Sequence, residues 1–182
     1  GNIDLRNLTV ESTLFLPVQI EGAGLYIGDP NFAQDNGEVS LTALEASLRA
    51  TLRAQVVPTA EDKRLFGRTD LPFAISHGTL IPMGFSSTLD DALSQSVEHA
   101  INMITAMFEM PRQQVYLLLS AAIDFDVTQA VDITKGVHGL IDLSMFQQLP
   151  DYERTIRDIG NSRRTAMRRM PYWPSRLRQV TD

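Results

Sequence analysis

From Thr88 onward the chain carries a helix signal that no strand could imitate. Leu89, Ala92, Leu93, Val97, Ala100, Ile101, Ile104, Met107 and Phe108 recur at steps of three and four residues, which lines one apolar face over about six turns. Thr88 and Asp91 make a capping pair at its start. Pro111 suits a first helical position, so Pro111 to about Ile123 reads as a second helix with Val115, Leu118, Leu119 and Ala122 inward. The short connection implies an antiparallel pair. Alternation then replaces the helical period: Phe125, Val127, Gln129 and Val131 predict a strand entered from the helix end, and Lys135 to Ile141 its turn and return. Helices feeding directly into a hairpin set the class as α+β. Met103, Met107 and Met110 read as core filler, His99 as surface, and His138 as solvated surface or, if another chain folds over it, a proton carrier.

The first half of the chain is β-rich. Thr13 to Ile20 is β-branched and aromatic, and Pro17 within it argues an edge or a bulge. Leu25, Tyr26 and Ile27 form a short apolar run that ends in Gly28-Asp29-Pro30, which places a carboxylate where strand becomes turn. Asn31, Gln34, Asp35, Asn36 and Gly37 form a polar loop leading to Glu38 and a second run from Val39. Two acids on opposite shoulders of one loop can converge on a cation or a polarised water, although Asp, Asn and Gly are also what plain turns are made of. Between Val39 and Val57, the spacing of Leu41, Leu44, Leu48, Leu52 and Val56 suits a helix, while Ser40-Leu41-Thr42 and Ala50 to Ala54 suit strands equally. Pro58 to Thr88 reads as turns and short strands, with His77 solvated in a loop.

Composition narrows the function classes. The 182 residues are 43% hydrophobic and 21% charged, which fits one main domain. With no cysteine, disulfides, zinc–thiolate sites and a cysteine nucleophile are excluded. No apolar run approaches the length of a membrane helix and no signal peptide opens the sequence, so the expectation is a cytoplasmic protein without membrane contact. Residues 1–150 hold eight basic against eighteen acidic side chains, and 151–182 hold eight arginines against four acids. The net charge of −6 argues against nucleic acid. The basic stretch, with Arg163, Arg164, Arg168, Arg169 and Trp173, reads instead as a helical tail for subunit contact in an oligomer. The domain expectation is therefore 1–149 for the body and 150–182 for the tail.

The segment Gly28-Asp29-Pro30-Asn31-Phe32-Ala33-Gln34-Asp35-Asn36-Gly37-Glu38-Val39-Ser40-Leu41-Thr42-Ala43-Leu44-Glu45 resembles the signature of the acetamidase/formamidase family, Gly-Asp-x-His-x-x-x-Gly-Asp-Gly-Glu-x-Cys-x-Thr-x-x-Glu. Gly1-Asn2-Ile3-Asp4 is similar to the end of that family's Gly-Gly-Asn-Met/Leu-Asp motif, Leu16-Pro17-Val18 to its Leu/Tyr-Pro-Val strand, and Ser120 to Asp132 to its Ser-x-x-x-Asp-Leu-x-Ile-x-Gln-Val-Val-Asp stretch. Asn31 stands where the family has His, Asp35-Asn36 where it has Gly-Asp, and Ser40 where it has Cys. The resemblance covers roughly residues 1–145 and corresponds to the carboxy-terminal portion of the longer family enzymes.

The resemblance implies a β-rich sandwich of that family's type with the helical hairpin near 88–123, strands rather than a helix over 39–57, and hydrolysis of a linear carboxamide to carboxylate and ammonia. It implies Glu38, Asp29 and Glu45 as catalytic groups, Asn2, Asn31 and Gln34 as substrate-binding groups, and Asp4, Asp29 and Glu38 around a divalent metal, zinc or calcium. It also implies an amino-terminal companion chain or segment. The other reading is a non-catalytic amide-binding or structural subunit of the same fold.

Overall fold

His77 and Gly78 both take positive φ, 47° and 82°, the geometry of a two-residue hairpin turn that matches the twist of its strands. The turn joins β4 (Phe73–Ser76) to β5 (Thr79–Ser86). The computed structural model describes residues 2–165, with side chains as far as residue 161. Around this hairpin an antiparallel five-stranded sheet runs in the order β1-β4-β5-β7-β6, with β1 (Thr13–Phe15), β6 (Asp124–Gln129) and β7 (Lys135–Asp142) as the remaining members. A two-stranded ribbon, β2 (Asn31–Ala33) with β3 (Leu44–Glu45), stands apart from it. The class is α+β, and within the described residues its β-rich half consists of this sheet and this ribbon. Strand β1 lies at the sheet edge, where Pro17 just beyond it removes no ladder bond.

Alternation sends successive side chains to opposite faces of the sheet. Phe73, Ile75, Leu80 and Ile141 enter the main core under α2 (Leu89–Phe108) and α3 (Arg112–Ala122). Ala74, Ile81 and Met83 point the other way, against Leu5 and the partly buried Ile3, Leu8 and Leu140. One face is thus covered by helices and the other by the first residues of the chain. Helix α2 is capped by Thr88, whose hydroxyl accepts from the Asp91 amide at 3.2 Å and donates to its carboxylate at 2.8 Å. It approaches β5 so closely that a Cβ on Gly84 would lie 2.1 Å from the Ala92 carbonyl oxygen. Arg112 in α3 grips Glu98 in α2 through one nitrogen, at 2.8 and 2.9 Å to its two oxygens.

The buried face of α2 differs from the simple apolar stripe. Leu89 and Leu93 are exposed, whereas Ser96, His99 and Met103 are buried. The close contact at Gly84 explains the rotation, because small and polar side chains fit where backbones nearly touch. Ser96 donates to the Pro82 carbonyl at 3.1 Å, and His99 Nδ1 lies 3.2 Å from the Met83 carbonyl with its ring edge-on to Phe73. His99 is therefore a core residue rather than a surface one, and Ala122 at the end of α3 is exposed rather than inward.

Other departures are local. Residues 58–88 contain a helix, α1 (Thr59–Phe66), whose acids Glu61 and Asp62 open it and whose bases Lys63 and Arg64 close it. Only Leu65 and Phe66 of α1 are buried, so no apolar period announces it. Phe66 joins Phe15 and Phe73 in an aromatic triad with centroids 4.3–5.3 Å apart. Leu25, Tyr26 and Ile27 are not a strand, and residues 46–58 form neither strand nor helix. No ladder partner meets either run among the described residues. Helix α4 (Tyr152–Thr165) docks on the body, with Ile159 buried in the main core and Thr155 donating to the Met107 carbonyl at 3.0 Å. The remainder of the basic tail, with Arg168, Arg169 and Trp173, lies outside the described residues, as do the side chains of Arg163 and Arg164. No helix among the described residues is long and apolar enough to cross a membrane.

Candidate active site

The site forms on the sheet face opposite the helices, where three distant stretches meet. Strand β6 carries a bulge between Val127 and Gln129, which buries both Thr128 and Gln129 and ends the regular ladder. Gly37, at φ +90°, pairs with this irregular end: its amide donates to the Thr128 carbonyl at 3.3 Å and its carbonyl accepts from the Ala130 amide at 3.0 Å. A side chain at Gly37 would meet only ordinary contact, so the requirement for glycine there is conformational. This bridge pins Glu38 beneath the loop. Gln129, fully buried, accepts from the Asp4 amide at 3.1 Å and donates to the Thr134 carbonyl at 2.9 Å. It therefore fixes Asp4 and the turn that carries Asp132 at the same time.

Asp4, Glu38 and Asp132 converge, each offering a carboxylate oxygen within 4.8 Å of the others. Asp4 is 8% exposed and Glu38 9%. Burial first, then the charges of Glu38, Asp132 and Asp29, raise the Asp4 carboxyl from 3.8 to about 7. Glu38 is raised as well, by burial and then by Asp29, Asp132 and Glu45. Asp132 Oδ2 is buried without a hydrogen-bond partner. Crowded, desolvated carboxylates with an unsatisfied oxygen make a donor set that a divalent cation or a shared proton would satisfy. Beside them opens a cleft of about 540 Å³ whose walls include Gln34, Asn36, Glu38, Ser40 and Thr42.

Several residues singled out from sequence gather here. Asn2 donates to Asp4 Oδ2 at 2.7 Å, and Gln34 to the Asp4 carbonyl at 2.7 Å. Asn31 lies in β2 opposite Glu45, with its Oδ1 buried and unpartnered. Glu45 is exposed and accepts from Thr42 at 2.9 Å. Asp29 is exposed at φ +55° and acts on Glu38 and Asp4 only through its charge. The structure thus gathers Asp4 and Glu38 with Asp132 and leaves Asp29 exposed, outside the converging set.

Sequence reading missed Asp132, Gln129 and Asn36 as site residues. Asp132 closes the 120–132 stretch that resembles the family's motif, and that resemblance was the available signal. Asn36 donates to Asp126 at 2.8 Å and keeps a buried, unpartnered Oδ1. His138 is fully buried rather than solvated: its Nδ1 lies 2.8 Å from the Thr128 hydroxyl, and burial lowers its pKa to about 4. It lies in β7 opposite Asp126 of the strand that anchors Gly37.

Comparison with known proteins agrees with this architecture. The sequence matches the Acetamidase/Formamidase family over residues 1–148. It is 42% identical over 40 residues to a formamidase of Methylophilus methylotrophus, a match covering 22% of this chain and 10% of that enzyme. The fold is similar to crystal structures of acetamidases from Bacillus halodurans (TM-score 0.65, 22% identity, covering 82% of this chain and 48% of that one) and Yersinia enterocolitica (TM-score 0.67, 22% identity, covering 81% and 43%). The chain thus matches just under half the length of these solved relatives. The match over residues 1–148 takes in all three converging acids and the loop between them, and by it the chain belongs to the acetamidase/formamidase family.

Proposed function

We propose that this chain carries the acidic part of an amide-hydrolase site that turns a small linear carboxamide and water into carboxylate and ammonia. The observation that carries the reading is the convergence of Asp4, Glu38 and Asp132 beside the cleft. Asp4, titrating at about 7, can take a proton from water and hold it near neutral pH. Asn2 donates to Asp4 Oδ2 and so orients the carboxyl for that exchange. Glu38, also raised, would return a proton to the departing nitrogen. Asn36 lines the cleft with a buried oxygen that lacks a donor, which suits the N–H₂ of a carboxamide.

With a divalent cation bound, Asp4, Glu38 and Asp132 would act as its ligands in place of carrying protons, and an all-oxygen set suits calcium better than zinc. The cation would supply Lewis acidity toward the carbonyl oxygen and water. Ammonia release from formamide and acetamide by the native assembly, with chelator and then with calcium or zinc, tests the reading. Turnover that falls at least a hundredfold in Glu38→Gln supports it. No release in any cation, with cation binding intact, would sink it. That result would favour the second reading, an amide-binding or structural subunit, which Asn31 supports because an amide side chain cannot carry the proton a histidine could.

A further inference from the structure

The stretch from Leu16 to Val56 exposes apolar side chains on a scale that an isolated domain does not tolerate. Leu16, Val18 and Ile20 are 47%, 67% and 71% exposed, and Leu48, Leu52 and Val56 are 56%, 54% and 80% exposed. Both sets fall on every second or fourth residue. Leu16, Val18 and Ile20 share the parity of Leu14, which packs on the Leu5 cluster. In the second set Ala50 and Ala54 fill the same parity as the leucines, while Arg49, Thr51 and Arg53 take the other. This is the pattern of half-buried strands, yet residues 46–58 belong to no strand or helix, and β1 is a three-residue edge strand with one side of its backbone unpaired. Exposed edges and apolar alternation together are a template for strand addition.

We propose that residues 16–20 and 48–56 are a docking surface on which another polypeptide segment lays β-strands, and that this segment corresponds to the part of the solved relatives that the present chain does not match. The match to the Bacillus halodurans structure covers 82% of this chain but only 48% of that one, so that relative carries a stretch of comparable size outside the matched part. The unpaired strand-like face is where the described residues leave room for it. Arg49 and Arg53 form no ion pair among the described residues, and residues 46–57 contain no acid. The facing strand is therefore expected to be apolar at alternate positions and acidic between them. The proposal stands on exposure and pairing and does not depend on amide turnover.

The test purifies the protein with an affinity tag from its source cells, weighs it under native and denaturing conditions, and follows amide hydrogen exchange. Support requires a segment, separate or covalently continuous, whose sequence aligns with the unmatched part of the relatives, together with slowed exchange over 16–20 and 48–56. Leu52→Asp and Val56→Asp should then each weaken docking by roughly tenfold to a hundredfold, or raise exchange over 48–56 by the same factor if the segment is continuous. Val10→Asp, at an exposed apolar residue outside the surface, should change neither. Three results would overturn the proposal: protection supplied by a second copy of this chain, free exchange of both stretches in the source-purified protein, or Leu52→Asp without effect.

Discussion

Replacing Asp4 by Asn isolates the electrostatic cost of the site. In the metal-free fold the carboxyl titrates at about 7 against an ordinary 3.8. At about 1.4 kcal/mol per pH unit, holding it ionised in the fold costs about 4 kcal/mol. The native state binds this proton more tightly than the unfolded chain, so the carboxyl makes the wild type progressively less stable as pH rises from 3.8 to about 7, after which its effect levels off. Asn keeps the shape and an acceptor for Asn2 but has nothing to ionise. Urea unfolding in chelator at a series of pH values should therefore show the Asp4→Asn protein gaining on the wild type by up to ~4 kcal/mol across that window, and by at least ~1.5 kcal/mol if the site relaxes around the charge. Calcium at a hundredfold over its dissociation constant should restore about 2.7 kcal/mol to the wild type above neutral pH, and much less to the variant. Parallel pH profiles without cation would refute the reasoning, since they would mean that Asp4 is not buried beside Glu38 and Asp132.

His138 gives the opposite slope. Held neutral by burial, with its pKa at about 4 against 6.5, it contributes stability that is present above 6.5 and lost as pH falls toward 4, about 3 kcal/mol in all; His138→Asn should flatten that acid limb in chelator-treated protein. Gly84→Ala should cost at least 2 to 3 kcal/mol in urea unfolding, roughly the upper range for overpacking, because the new methyl meets the α2 backbone rather than a movable side chain. Thr88→Ala should cost about 1 kcal/mol through the lost cap to the Asp91 amide, and Thr88→Asn should recover most of it.

The elements legible in the sequence were those whose period is set by one packed face. The helix from Leu89, the second helix after Pro111 and the hairpin of β6 and β7 all announce themselves in this way. Helix α1 did not, because its stability comes from end charges and from two apolar residues at its close. The segments around Leu25 and Leu48 gave strand or helix signals that no neighbour among the described residues satisfies, so local propensity alone was not enough to order either run into a strand or helix. His99 and His138 were misread for another reason. A lone histidine in sequence looks solvated, and only the close α2–β5 contact and the covered sheet face show that these two are enclosed.

The site shows the same division between local and distant information. Asp29 and Glu38 were read as a pair because they flank one loop, and loop spacing cannot report that Asp29 stays exposed or that the irregular end of β6 brings Asp132 in. The contrast between these two acids is testable. Calorimetric titration with calcium should show Asp132→Asn weakening binding by about a hundredfold or more, since a ligand oxygen is removed. Asp29→Asn should weaken it by less than about tenfold, since only a screened charge is lost. The same pair should separate in the Asp4 titration: each change relieves repulsion, but Asp132→Asn more, because the charge of Asp132 raises Asp4 more than that of Asp29 does and Asp132 also lies within hydrogen-bonding reach of it. A larger effect on calcium affinity from Asp29 than from Asp132 would mean that the cation, if held, sits on the loop's outer shoulder, and that the converging triad serves the fold instead.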